Sequence, residues 1–448
     1  MRVLSFTLLL LLPLGLAAPA RAIDVERVTS PGGIEAWLVE DHSNPILALS
    51  FAFEGGAAAD PAGKEGRASL TASLLDEGAG ALDAAAFQGA LERASIDLSF
   101  DAGRDGVYGG LVTLSERRDQ AGELLSLALT APRFDAPAVE RVRQQLQSRL
   151  AQRLSQPNAQ AALALQAALF PDHPYGRPTD GTPESVAALT AEDLRAFVAE
   201  RLARDVLTVG VVGDITAEEL GPYLDAVFGG LPAAAAPLEI ARVEPAAAGQ
   251  AQAVAIPVPQ SSIMLAQRGP LRDDPDYYAL SVVNNVLGGG SFSSRLYDEV
   301  REKRGLAYGV WSSLRPYDHA GVWYAGTSTQ TERVPESLAV MRRVWREMAE
   351  EGPTDAEVEA SIDYLVGSFL LSLSSSEDIA DTLVAVQSEG LGIDYLDRRR
   401  EIYESLTPEA VRAAARRWLD PDSLAVVIAG APGLEEGPSS TPAAVENN

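Results

Sequence analysis

The chain has 448 residues, 46% hydrophobic and 22% charged, the balance of a soluble globular protein of about two or three domains. Its 36 Lys and Arg stand against 63 Asp and Glu, a formal charge of −27 that makes nucleic acid and anionic lipid surfaces poor partners. Cysteine is absent, so neither a disulfide framework, a thiol nucleophile nor a Cys-ligated metal is available.

The chain opens on Arg2 and an apolar run from Phe6 to Leu16, and Ala20-Arg21-Ala22 follows the small-x-small cleavage rule. Residues 1–22 therefore read as a signal peptide cleaved after Ala22, which places the mature chain in the periplasm. Loss of Arg2 and Arg21 leaves 34 basic against 63 acidic residues, or −29. No later stretch is long and apolar enough to span a bilayer.

From Ile46 to Phe53 the sequence reads as a buried strand, followed by Asp60-Pro61. GRASLTASLLDEG (66–78) reads as an amphipathic helix in which Leu70 and Leu74 pack while Ser and Thr face outward. Helices are expected over Leu125–Leu129 and Val139–Leu154. The stretch LTAEDLRAFVAERLARDVLTVGVVG (189–213) predicts a helix capped by Thr190, with Leu194 and Val198 on one face, then a strand ending at Gly213.

That stretch recurs. LTPEAVRAAARRWLDPDSLAVVIAG (406–430) overlies it without a gap at an offset of 406 − 189 = 217, with 10 of 25 positions identical. Thr407 takes the place of Thr190. Asp274-Pro275 likewise follows a strand (Ser262–Gln267) at an offset of 274 − 60 = 214. Two agreeing offsets identify a duplication. Residues 23–231 form the first unit, the Ala- and Pro-rich segment 232–253 the linker, 254–431 the second unit, and 432–448 a polar tail without a core. Val334–Met348 and Asp355–Leu373 add long helices to the second unit. The fold class is α+β, each unit a mainly antiparallel sheet covered by helices on one face.

Little in the residues points to hydrolysis. His42, His173 and His319 are the only histidines, each in a separate turn or loop and none at metal-ligand spacing. No Ser sits in a G-x-S-x-G elbow. GGGS (288–291) lacks the Gly-Lys-Ser/Thr ending of a phosphate loop. In LGGGSFSSRLYDEVREKRGLAYGVWSSL (287–314), Ser293 caps a helix with Leu296 and Val300 as its apolar stripe, and Gly305 ends it. A strand follows with Leu306, Tyr308 and Val310 on one face. Arg301 in the last helical turn and Tyr308 in that strand would by themselves be an exposed Arg and a half-buried Tyr.

The whole 287–314 string resembles the C-terminal half of the M16 metallopeptidases, the pitrilysin, insulinase and mitochondrial-processing group, which share a Gly-rich loop, S-R-L and R-E-x-x-G-L-x-Y. The segment 173–197, the duplication and the linker resemble the same family, so the likeness covers nearly the whole mature chain. It implies a short bacterial chain forming half of a clamshell. Active members carry G-x-A-H-x-x-E-H in the first unit, two His ligands and a general-base Glu, with a third Glu ligand further on. Here Ser69 and Ser73 stand at the His positions, Ala72 at the base and Gln147 near the third ligand. Serine hydroxyls and an amide are weak zinc ligands, and alanine moves no proton.

The resemblance therefore implies a chain with no zinc and no catalytic residue of its own. Arg301 and Tyr308 match the family's substrate-binding pair, and Gly288, Gly289 and Gly290 its substrate loop. It also implies a heterodimer with a zinc-bearing M16 chain carrying H-x-x-E-H, into which this chain supplies Arg301 and Tyr308 for hydrolysis of extended peptides. A structural or peptide-binding protein of the same fold, without a peptidase role, is the alternative. A self-sufficient hydrolase with an unusual site is a third reading.

Overall fold

The computed structural model describes residues 23–246 and 248–430. The expected signal peptide over 1–22 and the expected tail over 432–448 lie outside them. The chain folds into two sheets. The first contains β1 (Glu26–Thr29), β2 (Glu35–Glu40) and β3 (Ile46–Glu54). A two-stranded ribbon, β4 (Gly78–Ala79) and β5 (Leu82–Asp83), precedes its remaining strands, β6 (Asp97–Ala102), β7 (Gly106–Leu114) and β8 (Leu207–Gly213). The second contains β9 (Ala251–Ala255), β10 (Gln260–Arg268), β11 (Ala307–Pro316), β12 (Gly321–Gln330) and β13 (Ala425–Gly430).

The strand orders are β1-β2-β8-β3-β7-β6 and β11-β12-β10-β13-β9. Each sheet is antiparallel except for one parallel pair, β2 with β8 and β9 with β13. The parallel pairs are duplication counterparts. Thr190 and Thr407 cap their helices as the sequence predicts, accepting from the N–H of Asp193 and of Ala410.

Both central strands are buried throughout, β3 from Leu47 to Phe53 and β10 from Ser261 to Gln267, because both faces of each sheet are covered. On β3, Leu47, Leu49, Phe51 and Phe53 pack on the first unit's own helices. Ala48, on the other face, packs with Trp37 and Val212 against Ala380, Leu383 and Val386 of the helix Ser376–Ser388, which belongs to the second unit. The exchange is reciprocal. Met264, Ala266, Val322 and Val427 of the second sheet pack against Ala161, Leu165 and Leu169 of the first unit's helix Pro157–Leu169. The two helices start 376 − 157 = 219 residues apart, the duplication offset within two residues. Helices thus cover one face of each sheet from within its own unit, and a single helix from the other unit covers the second face.

Polar bonds fix the exchange. Ser50 Oγ donates to Asp381 (2.5 Å), Gln387 donates to the Val209 carbonyl (3.0 Å), and Tyr324 donates to Gln166 (2.6 Å). The Ala- and Pro-rich segment is also tied down. Ala236, Val243 and Ala246 donate their N–H to the carbonyls of Glu200, His319 and Leu169, and β9 begins at Ala251, inside the expected linker. Among the described residues no helix is long and apolar enough to cross a membrane.

Candidate functional site

The segment 66–78 departs from its expected form. Its helix runs only from Arg67 to Ala72, and all six residues are buried, Ser69 and Thr71 included. The helix lies between the Ala191–Arg201 helix and β6, which leaves it no outward face. Thr71 therefore donates its hydroxyl back to the Arg67 carbonyl (2.7 Å). Gly66 offers no side-chain cap, so buried Asp60 serves instead, accepting from the N–H of Gly66 (3.0 Å) and Ala68 (3.1 Å) and pairing with Arg67.

The four positions at which the resemblance would put a metal site are all occupied by structural contacts. Ser69 donates to Asp180 Oδ1 (2.8 Å), and Asp180 Oδ2 pairs with Arg153. Ala72 packs in the first core. Ser73 donates to the Ser69 carbonyl (2.9 Å), and Gln147 donates to the Pro183 carbonyl (3.2 Å). Zinc needs strong donors facing one point with a coordination position left open, and this set does not fit it. Nowhere among the described residues do three His, Cys, Asp or Glu side chains gather to hold a metal.

Two of the three histidines converge, as the sequence could not show. His173 and His319 both flank the buried Tyr175 ring, at 4.7 and 6.0 Å between ring centres. Both His173 nitrogens are used: Nδ1 accepts from the Tyr175 N–H (3.2 Å), and Nε2 bonds the Ala241 carbonyl (2.9 Å). Tyr175 closes the junction between the units by donating to Asp105 (2.5 Å) and accepting from the His319 N–H (3.0 Å). His42 lies apart, bonded to Asp214 (2.7 Å).

Arg301 and Tyr308, by contrast, are brought together. The chain passes from a short helix, Arg295–Tyr297, into a wider turn over Asp298–Glu302. Its cap residue is Ser294; Ser293 instead donates to the Gly290 carbonyl (2.9 Å). Gly305 takes a left-handed φ of 55° and donates to the Arg301 carbonyl (2.8 Å), as expected of a helix end. The expected alternation then fails. Leu306 and Val310 are buried, but Tyr308 is 87% exposed. The β11–β12 register shifts between Ala307 and Val310, and this bulge turns Tyr308 outward.

The Arg301 guanidinium lies 4.7 Å from the Tyr308 ring centre, 4.9 Å from that of Tyr297 and 6.0 Å from that of Phe292, and it donates to the Tyr297 hydroxyl. Tyr297 and Phe292 are the residues that motif matching misses. Tyr297 was findable, since it stands four residues before Arg301 on one helical face. Nearby, Glu299 bonds Lys303 (2.6 Å), Arg304 (2.7 Å) and Arg343, and Lys303 first among them holds its carboxyl down at about 2.

Phe292, Tyr297 and Tyr308 line a cleft of about 1180 Å³ between the units. Its opposite wall includes Arg153, Ala159 and Ala162. Arg301 packs on the rings rather than lining the cleft. Gly288 and Gly289 also line it, but the glycine run is no open loop. Gly288 is buried where a Cβ would come 2.6 Å from the Ser312 nitrogen, Gly290 is buried too, and Gly289 alone is exposed. The cleft runs along β11, the edge of the second sheet, whose outer backbone groups have no partner strand among the described residues.

Residues 188–365 match the family model described as the peptidase M16 inactive domain. The crystal structure of a peptidase M16 inactive domain from Pseudomonas fluorescens is 31% identical and aligns over 92% of this chain and 99% of its own, with a TM-score of 0.86. A non-peptidase homolog from Helicobacter pylori is 28% identical over 331 residues, 73% of this chain and 76% of that protein. An uncharacterized zinc protease of Mycobacterium leprae is 27% identical over 411 residues, 90% and 91% of the two chains.

Proposed function

The chain belongs to the peptidase M16 family, and we propose that it is the non-catalytic, substrate-binding subunit of a periplasmic M16 zinc peptidase. In this reading a partner chain carries H-x-x-E-H and the zinc, and this chain supplies Arg301 and Tyr308. The observation that carries it is the exposed Tyr308 ring, held by Arg301 at the wall of a peptide-sized cleft while the chain's own metal positions are filled by other contacts. An extended peptide would add to the free edge of β11, its backbone paired with the strand. Tyr308, and Arg301 once it turns from Tyr297 into the cleft, would then donate to the peptide carbonyl on which charge develops, a contribution of several kcal/mol when donors are preorganised.

One observation favours the second reading, a peptide-binding protein with no peptidase role: Arg301 already donates to Tyr297 within its own chain. Affinity capture of the tagged mature chain from its own periplasm, with mass spectrometry, separates the two. A stoichiometric M16 partner carrying H-x-x-E-H supports the heterodimer. Recovery of the chain without such a partner, or from the cytoplasmic fraction, refutes it.

A further inference from the structure

A second, smaller pocket of about 210 Å³ lies wholly within the first unit, between the end of the Ala136–Leu154 helix, the start of the Pro157–Leu169 helix and the loop 176–183. Three arginines line it, Arg104, Arg153 and Arg177, against one acidic residue, Asp180. With Glu65, the partner of Arg177, counted beside Asp180, the local balance is 3 − 2 = +1 in a chain of formal charge −27.

Asp180 is already committed to Arg153 and Ser69. Arg177 reaches Glu65 only at 3.9 Å. Among the described residues no carboxylate pairs with Arg104. It is half-buried, donates to the Tyr175 carbonyl (2.6 Å), and is held 5.4 Å from the ring centres of both Tyr175 and Tyr317. The two rings pack on each other, 5.4 Å between centres, and Arg104 lies against both; an arginine held in this way without a counter-ion is preorganised for a planar anion, which it binds through two parallel N–H donors.

The helix beginning at Pro157 strengthens the field. Gln156 gives it no side-chain cap, its first turn holds no acidic residue, and Ala159 in that turn lines the pocket. Its duplication counterpart, Ser376–Ser388, is capped by Ser375 and opens with Glu377 and Asp378. The two exchanged helices have therefore diverged in opposite electrostatic senses. Leu150, Leu154 and Leu163 form an apolar wall beside the charges.

We propose that this pocket binds the C-terminal carboxylate of a peptide whose last side chain is apolar. Its volume is below the ~300 Å³ at which small-molecule sites begin, so it suits one terminal residue rather than a cofactor. It shares Arg153, Ala159 and Ala162 with the large cleft, so a peptide lying along Tyr308 can deliver its end there. The inference rests on the peptide-binding part of the function proposed above but not on a partner chain.

The test is calorimetric titration of the mature chain alone with an N-acetylated peptide ending in Ala-Leu, as free acid and as C-terminal amide. The acid is expected to bind at least about tenfold tighter. That advantage should vanish in Arg104→Gln. It should also vanish in Ala162→Leu, which fills the pocket from an exposed position and leaves the core intact. Equal binding of acid and amide overturns the proposal while leaving peptide binding standing. Acid binding that a terminal Gly supports as well as Leu, and that inorganic phosphate displaces, also overturns it, since the pocket is then a plain anion site.

Discussion

The Arg301 guanidinium sits 4.7 Å from the centre of the Tyr308 ring, although the two residues belong to different elements. Two devices bring this about. Gly305 reverses the chain in a left-handed conformation that other residues adopt only at a cost of about 1–2 kcal/mol, and the β11 bulge turns Tyr308 out of the sheet. Arg301→Ala or Tyr308→Phe should therefore lower peptide hydrolysis by the proposed heterodimer by about 10- to 100-fold, mostly in kcat. Both variants should keep the wild-type melting temperature and remain bound to the partner. Wild-type rates in both would remove these residues from the chemistry.

Metal analysis of the purified mature chain should find no stoichiometric zinc. The Ser69 and Ser73 hydroxyls donate within their own unit, Gln147 is engaged with a backbone carbonyl, and Ala72 is buried. About one zinc per chain, retained through dialysis against a weak chelator, would contradict the reading of these positions.

Glu299 ties the Arg301 turn to Arg343 on the Val334–Glu350 helix. Its folded pKa lies below its ordinary value, at about 2. Its contribution is therefore complete above about pH 4.5 and is lost as pH falls towards 2. Glu299→Gln should cost on the order of 1–2 kcal/mol at pH 7, allowing for solvent screening. Urea unfolding at pH 7 and pH 3 should show the gap between wild type and variant narrowing at the lower pH.

Asp318 shows the opposite sign. Burial, followed by the charge of Asp105, pushes its carboxyl up to about 6. A raised acid contributes stability below its ordinary pKa of 3.8 and loses it as pH rises through 6. Asp318→Asn should accordingly stabilise the junction at pH 7.5, by less than about 1 kcal/mol because the side chain is only partly desolvated and still meets water, and should change little at pH 4. A variant less stable than wild type at pH 7.5 would contradict this.

Leu383 belongs to the second unit but is buried against the first sheet. Leu383→Ala should cost about 2–5 kcal/mol. Hydrogen exchange should quicken in β3 and β8 of the first unit, and the two units should still unfold together. Faster exchange confined to the second unit would show that the exchanged helix does not couple them.

Several features were legible because they are local. The duplicated helix and strand showed through 10 shared residues in 25 and through matching threonine caps. The Arg301–Tyr308 motif was legible as a string, and so was the lack of imidazole and carboxylate at 69, 72, 73 and 147. The exchange of helices was not. PNAQAALALQAAL is apolar around most of its circumference, so its composition names no partner sheet. The orientation of Tyr308 was also hidden, because one extra residue in an edge strand inverts the faces that alternation predicts.

What the sequence determined by itself is the kind of the main repeated elements and the chemistry the chain can supply. Backbone periodicity, capping and side-chain type are properties of neighbouring residues. Only the tertiary structure decided which surfaces meet: Arg104 against the paired rings of Tyr175 and Tyr317 beside an uncapped helix, and Leu383 on the opposite unit's sheet. Those relations join residues far apart in the chain. They depend on packing and burial, which no local pattern encodes.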